Sequence, residues 1–325
     1  MKLVLKILGV VVLLIIVLAS GGLVYLFTAF PKADPAPAVT IEATPERLER
    51  GRYLANHVSV CIDCHSTHDL RYFSGPVVPG TEGKGGEKFE EPGMGFVYVS
   101  NITPAALGSW TDGEILRAMT AGVNNKGEAL APMMPYGIYR ELSKEDAYAI
   151  VAYLRTLPPI ANEIGEAKLD FPVNLIFRTI PKPAELKEEG PNPADTLAYG
   201  KYLATVGGCH FCHTPAIKGA PVPGMDFAGG FDFKFPNGYV VRSANITPDE
   251  DTGLGAWTKD DFISRFKEYE QPEMRTIEVG EGDDKTVMPW TMYAGMTEAD
   301  LGAIFAYLRT VKPLHNVVER YPEKN

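Results

Sequence analysis

Two copies of Cys-x-x-Cys-His constrain this chain most: Cys61-Ile-Asp-Cys64-His65 and Cys209-His210-Phe211-Cys212-His213. They use all four cysteines of the 325 residues. Such a pair can be a redox disulfide, half of a zinc site or a haem c attachment point. A thioredoxin-type pair belongs beside a βαβ pattern, and the elements here read as helical. Zinc needs its four ligands close together, and 145 residues of sequence part Cys64 from Cys209. The histidine that ends each motif favours haem. Each thiol adds across a vinyl group, the two-residue gap matches the vinyl separation, and the histidine is held under the iron. The expected cofactors are therefore two covalently bound haem c groups. Cys61, Cys64, Cys209 and Cys212 would carry the attachment, and His65 and His213 would be proximal ligands.

The motifs sit in an internal repeat. Gly51-Arg-Tyr53-Leu-Ala55 precedes the first and Gly200-Lys-Tyr202-Leu-Ala204 the second. Asn101-Ile-Thr-Pro104 recurs as Asn245-Ile-Thr-Pro248, Trp110-Thr111 as Trp257-Thr258, and the run Ala149–Thr156 as Ala303–Thr310. The offset drifts from 149 to 144 to 147 to 154, so the copies differ by loop insertions. The length also suits two domains plus extras. The expected boundaries are an anchor and tether over 1–40, a first haem domain over 41–160, a linker over 161–193 and a second haem domain over 194–325.

Residues 7–30 carry no charge and are mostly apolar, long enough to span a bilayer with some tilt. Lys2 and Lys6 precede them and favour a cytoplasmic N-terminus. A cleaved signal peptide would have a shorter apolar region and a small-x-small site. The nearest candidate is Leu18-Ala19-Ser20. The expectation is a single-pass helix in the cytoplasmic membrane, contacting lipid through 7–30, with the haem domains on the periplasmic, outer face. Residues 31–40 read as an extended Pro/Ala tether.

The rest reads as all-α. A helix over about 45–57 is matched by one over about 194–206. Middle helices start at Thr111-x-x-Glu114 and, more loosely, at Thr258-x-x-Asp261, in capping-box form. Last helices start at Ser143-x-x-Asp146 and Thr297-x-x-Asp300, and end before Pro158 and Pro313. Gly/Pro-rich loops over 74–95 and 219–238 each lead into a short strand-like stretch, so each lobe is expected to carry a small hairpin insertion. The region 157–196 is Pro-rich, but its apolar run Phe171–Phe177 is expected to pack against one or both lobes.

A proximal histidine leaves the opposite face of the iron for another ligand. Met134, in Met133-Met134-Pro135-Tyr136, and Met288, in Met288-Pro289-Trp290, each stand nine residues before a last-helix start. This equal approach suggests the same job in both lobes. A thioether there would raise the reduction potential and leave no open position for substrate. Met133 is the rival in the first lobe, and Met292 and Met296 in the second. His57, His68, His210 and His315 read as structural, spacer or surface residues.

Together these motifs resemble class I c-type cytochromes, with Cys-x-x-Cys-His early and Met-Pro before the final helix. The order Asn-Ile-Thr-Pro, Trp-Thr, Met-Pro-Tyr or Met-Pro-Trp, then Ala-Tyr-Leu-Arg is similar to the cytochrome c subunits of membrane-bound alcohol, aldehyde or gluconate dehydrogenases. The run Phe171–Arg178 resembles their inter-haem segment, so the resemblance covers about 45–313. It implies two tandem cytochrome c-type lobes, with His65 and Met134 as axial ligands in the first and His213 and Met288 in the second. Members of the family often carry three haems, and this chain has two motifs. The family's usual proline carbonyl, accepting from the proximal imidazole, is expected from Pro76, or from Pro79 and its mate Pro223.

The function expected from two six-coordinate haems is single-electron transfer, with no catalytic residues. The donor would be a dehydrogenase subunit or a quinol-oxidising complex, and the acceptor a downstream respiratory component such as an oxidase. The alternative is a di-haem cytochrome c peroxidase, which needs one iron open to peroxide; a matched methionine in both lobes argues against it. A haem-based sensor would need an output domain, and none is visible. The net charge of −10 makes nucleic acid an unsuitable partner. The acidic bias peaks over 249–284, with twelve acidic and four basic residues. It either steers a basic redox partner or simply keeps the protein soluble.

Overall fold

A computed structural model of the chain describes residues 1–91, 93–235, 238–280 and 283–322. Residues 92 and 236–237 of the two Gly/Pro-rich loops, 281–282 of the acidic stretch and 323–325 of the last expected domain lie outside the described residues. Most of the regular structure is helical. Helix α1 is Lys2–Ala29, 28 residues with none buried. By length and composition it can cross a membrane.

The first copy of the repeat then runs α2 (Pro45–Tyr53), α3 (Cys61–Cys64), β1 (Lys88–Glu91), β2 (Gly95–Tyr98), α4 (Pro104–Leu107), α5 (Asp112–Ala121), α6 (Tyr136–Tyr139) and α7 (Lys144–Leu154). A connecting stretch holds β3 (Lys168–Leu169) and α8 (Val173–Arg178). The second copy runs α9 (Thr196–Val206), α10 (Cys209–Cys212), the strand pair β4 and β5 (Ala216–Ile217 and Ala220–Pro221), β6 (Asp232–Lys234), β7 (Val240–Arg242), α11 (Lys259–Lys267), α12 (Pro272–Arg275), α13 (Trp290–Tyr293) and α14 (Glu298–Leu308). Strands β1 and β2 pair antiparallel with Phe89 opposite Val97, and β6 and β7 with Phe233 opposite Val241. The connecting stretch adds β3 to the open side of β2.

The helix starts follow from their caps. The Thr111 hydroxyl accepts from the Glu114 N–H while the Glu114 carboxylate accepts from the Thr111 N–H, at 3.2 and 2.7 Å. Thr258 and Asp261 form the same complete box, at 3.1 and 2.9 Å, tighter than the sequence suggested. Each such exchange satisfies two N–H groups that a helix end otherwise orphans. Helix α2 stops at Tyr53 and continues as one π-turn over Leu54–Val58. That turn brings Leu54, Ala55 and Val58 into the core just ahead of the first cysteine.

In each copy the first helix crosses the last at a glycine. A Cβ on Gly51 would stand 1.9 Å from the Ala149 carbonyl oxygen, and one on Gly200 the same 1.9 Å from that of Ala303. Around the crossings lie fully buried Leu54, Ile150, Leu203 and Leu301, each contributing roughly 1.5–3 kcal/mol by burial. The repeated arginine that ends each last helix ties it to the middle loop. Arg155 donates to the Leu107 and Trp110 carbonyls and pairs with Asp112; Arg309 donates to the carbonyls of Leu254 and Gly255.

The two copies dock reciprocally. Tyr53 of the first donates to Asp300 of the second at 2.5 Å, and Tyr202 of the second donates to Asp146 of the first at 2.6 Å. His57 Nδ1 meets the Met292 carbonyl at 2.9 Å. The segment 71–73 exchanges backbone hydrogen bonds with 277–279.

Of the run Phe171–Phe177, expected to pack against one or both lobes, Val173, Leu175 and Phe177 are half-buried. Helix α8 has no buried residue, and Phe171 is 79% and Ile176 51% exposed. Its Arg178 instead reaches back to α1, donating to the Phe27 carbonyl at 3.2 Å with its guanidinium 4.8 Å from the Phe27 ring.

Candidate haem sites

Each Cys-x-x-Cys is one short helical turn, entered through a left-handed residue: Val60 at φ 44° before Cys61, and Gly208 at φ 74° before Cys209. The turn puts both thiols of a pair on one side, with the histidine as its C-cap. All four thiols are free. Burial pushes Cys61 and Cys209 up to about 12 and Cys212 up to about 11, and raises Cys64 as well. Yet Cys64 has exposed surface and Cys209 and Cys212 are part-exposed.

The two histidines are held identically. His65 Nδ1 lies 2.7 Å from the Ser100 carbonyl oxygen, and His213 Nδ1 2.7 Å from that of Ala244. A carbonyl only accepts, so Nδ1 carries the proton. Burial holds both imidazoles below the ordinary histidine value, which keeps Nε2 unprotonated with its lone pair free. That is the tautomer and orientation a metal-ligating histidine needs.

The acceptor is therefore none of Pro76, Pro79 and Pro223. The Pro76 carbonyl is taken by the Asp69 N–H at 2.9 Å. The residue that serves stands directly before each Asn-Ile-Thr-Pro. Asn101 accepts from the Thr103 N–H and hydroxyl and donates to the Ile160 carbonyl; Asn245 does the same with Thr247 and Leu314. Each asparagine thus pins its loop to the chain beyond the last helix and fixes the preceding carbonyl. The repeated motif was the available signal, and it pointed one residue upstream of itself.

Met134 and Met288 are part-buried against the core cluster that holds Cys61. Both open the same tight turn. The Tyr136 N–H donates to the Met134 carbonyl at 2.8 Å, with Pro135 at φ −82°, ψ 53°. The Trp290 N–H donates to the Met288 carbonyl at 2.7 Å, with Pro289 at φ −77°, ψ 62°. These are inverse γ-turns, for which proline presets φ. The rivals differ from one another: Met296 is fully buried, and Met292 offers its carbonyl to His57. Of the other histidines, His68 pairs with Glu87 and Asp63, His210 with Asp226 and His315 with Asp249.

Two further pairs escaped the sequence reading. Tyr139 donates to the Ser59 carbonyl at 2.7 Å and Tyr293 to the Gly207 carbonyl at 2.6 Å, each bracing the approach to a cysteine turn. The Tyr136 hydroxyl and the Trp290 indole N–H, two residues after each methionine, are buried with no hydrogen-bond partner among the described residues. A buried orphan donor costs about 1–3 kcal/mol, and its repetition at matched positions fits a bound group that carries acceptors. The residues present thus fit haem c: free paired thiols, oriented imidazoles, matched thioethers and unpaired donors.

No family model matches the chain. It is 30% identical over 298 residues to the cytochrome c subunit of quinone alcohol dehydrogenase from Gluconacetobacter polyoxogenes, covering 87% of this chain and 59% of that protein. It is 28% identical over 243 residues to the cytochrome c subunit of gluconate 2-dehydrogenase from Pantoea cypripedii, covering 70% and 52%. This chain is a relative of dehydrogenase cytochrome c subunits. A diheme cytochrome c-type protein of Cereibacter sphaeroides is 28% identical over 212 residues, covering 62% of this cytochrome c relative and 68% of that protein. The chain spans little more than half the length of the two dehydrogenase subunits.

Proposed function

We propose that the protein is a membrane-anchored di-haem cytochrome c that passes single electrons from a dehydrogenase or quinol donor to a downstream respiratory acceptor. The matched Met-Pro turns and histidine–carbonyl bonds of the two copies carry this reading. The names of its relatives support it, since they are cytochrome subunits of dehydrogenases rather than catalytic subunits. Haem c, when bound, supplies a one-electron iron couple. Cys61 and Cys64 would hold one group and Cys209 and Cys212 the other, within domains 41–160 and 194–325. His65 and His213 would ligate from one side, oriented by the Ser100 and Ala244 carbonyls, and Met134 and Met288 from the other. Thioether ligation by Met134 and Met288 would raise the potentials and leave no position for substrate. That favours electron transfer over peroxidase chemistry.

Helix α1 would hold the haem domains at the periplasmic face, with Lys2 and Lys6 kept inside. The partner would be a dehydrogenase subunit, a quinol-oxidising complex or an oxidase. The ligand set is tested by Met134→Leu and Met288→Leu. Each should remove the far-red sulfur-to-iron absorption of its own copy; a full band in both variants would reject the assignment.

A further inference from the structure

Phe171, two residues ahead of α8, and Ile176 within it are exposed beside α1, which among the described residues is the helix long and apolar enough to cross a membrane. About 20 residues of helix cross a hydrocarbon core of about 30 Å. Counted from Ile7, after the last charge of α1, such a span ends near Leu26. Phe27 then stands at the boundary where α1 emerges, flanked by exposed Tyr25, as aromatic residues do at membrane interfaces. Arg178, the last residue of α8, is bonded to that Phe27 carbonyl and lies over its ring. Its partners fix α8 at the same level. Phe171 and Ile176 are exposed there. From Phe171 to Ala184 the chain has no acidic residue and two basic ones, Arg178 and Lys182, although its net charge is −10. Exposed apolar side chains with Arg178 and Lys182 close by, between Asp170 and Glu185 at the two ends of the stretch, suit a surface that is apolar below and anionic above.

We propose that exposed Phe171, just ahead of α8, and exposed Ile176 within it lie in the headgroup boundary of the leaflet from which α1 emerges, so that the protein is held to its membrane at two points. This rests on the reading of α1 as a retained membrane span. A single helix would let the haem domains swivel over residues 31–36, ahead of Pro37, which lies against Gly113 of α5. A second contact through α8 sets one orientation, and with it the face offered to a redox partner.

Attachment of haem consumes all four native thiols, so a single new cysteine can be spin-labelled in the haem-loaded full chain. Labels at Phe171→Cys and Ile176→Cys are compared with one at Val317→Cys, 78% exposed, and one at Leu14→Cys within α1. The protein is placed in nanodiscs of phosphatidylcholine and phosphatidylglycerol, and collision with oxygen and with a water-soluble nickel chelate is read by power saturation. The expected oxygen-to-nickel ratio at 171 and 176 is several-fold above that at 317. A ratio equal to that at 317, with Leu14 in lipid, overturns the α8 contact and leaves the anchor standing. A Leu14 label that is aqueous, or missing from the mature protein, overturns both. Protection at 171 and 176 that appears only in native membranes with other subunits present gives the face to a protein, and also overturns the contact.

Discussion

Tyr53 donates its hydroxyl hydrogen to Asp300 at 2.5 Å and accepts the Thr297 N–H at 3.1 Å. It thereby enters the cap of a helix that belongs to the other copy of the repeat. Thr297 caps α14 and Asp300 is the third residue of that helix; in an ordinary capping box the acidic side chain would return to the cap N–H itself. Tyr202 makes the mirror insertion between Ser143 and Asp146. Two helix starts are thus completed by docking, which couples local helix stability to the interface between the copies.

Tyr53→Phe leaves the Thr297 N–H and the Asp300 carboxylate without this partner and should cost about 1–3 kcal/mol. Tyr202→Phe should cost less, because Asp146 keeps a two-pronged contact with Arg50 at 2.8 Å. Denaturant unfolding of the two variants checks the order; equal costs would mean that the Arg50 pair gives Asp146 no compensation.

Gly51→Ala and Gly200→Ala each place a methyl group 1.9 Å from a backbone carbonyl oxygen. The helices must part, so each change should cost about 3 kcal/mol or more. A substantial fall in Tm is expected for both; an unchanged Tm for either would show that its crossing is looser than described.

Gly208→Ala isolates backbone strain, because the nearest atom to a Cβ there is Ile138 Cδ1 at an ordinary 3.8 Å. At φ 74° the cost should be about 1–2 kcal/mol. Val60 takes the same conformation in the first copy, so Val60→Gly should come out close to neutral: strain is relieved while the unfolded chain gains freedom. The two are compared by thermal unfolding of the haem-loaded protein.

Burial pushes the His57 pKa below 6.5, and the facing Arg52, Lys267 and Arg275 push it the same way. Its folded value is depressed, so the stability it contributes is present above pH 6.5 and is lost as the pH falls below it. Acidification from pH 7 to 5 should therefore lower the stability of the interface between the copies, through the cost of charging a buried imidazole beside cations and not through the Met292 hydrogen bond, which favours the charged form. A His57→Gln variant, which can still donate to that carbonyl, should show a shallower loss in the same window. Equal slopes would remove His57 as the cause.

Much of this protein is local in character and so could be read from the chain. The cap at Thr111, the start of the last helix at Ser143 and the long apolar helix depend on residues within a turn of one another, and each formed as its pattern implies. The spacing of cysteines and histidine in each motif is equally local. What the chain order does not contain is which distant group each functional side chain meets. The imidazole acceptors are the carbonyls of Ser100 and Ala244, 35 and 31 residues away. They were invisible because any residue supplies a carbonyl and only the pinned asparagine after it sets the position. The apolar run Phe171–Phe177 was expected against one or both lobes, but hydrophobicity does not say which of its side chains will be covered. Only the tertiary structure left Phe171 and Ile176 exposed and set Arg178 against Phe27. The exchange of Tyr53 and Tyr202 likewise required both copies folded and docked, since a hydrogen bond 247 or 56 residues long in sequence is created by packing alone.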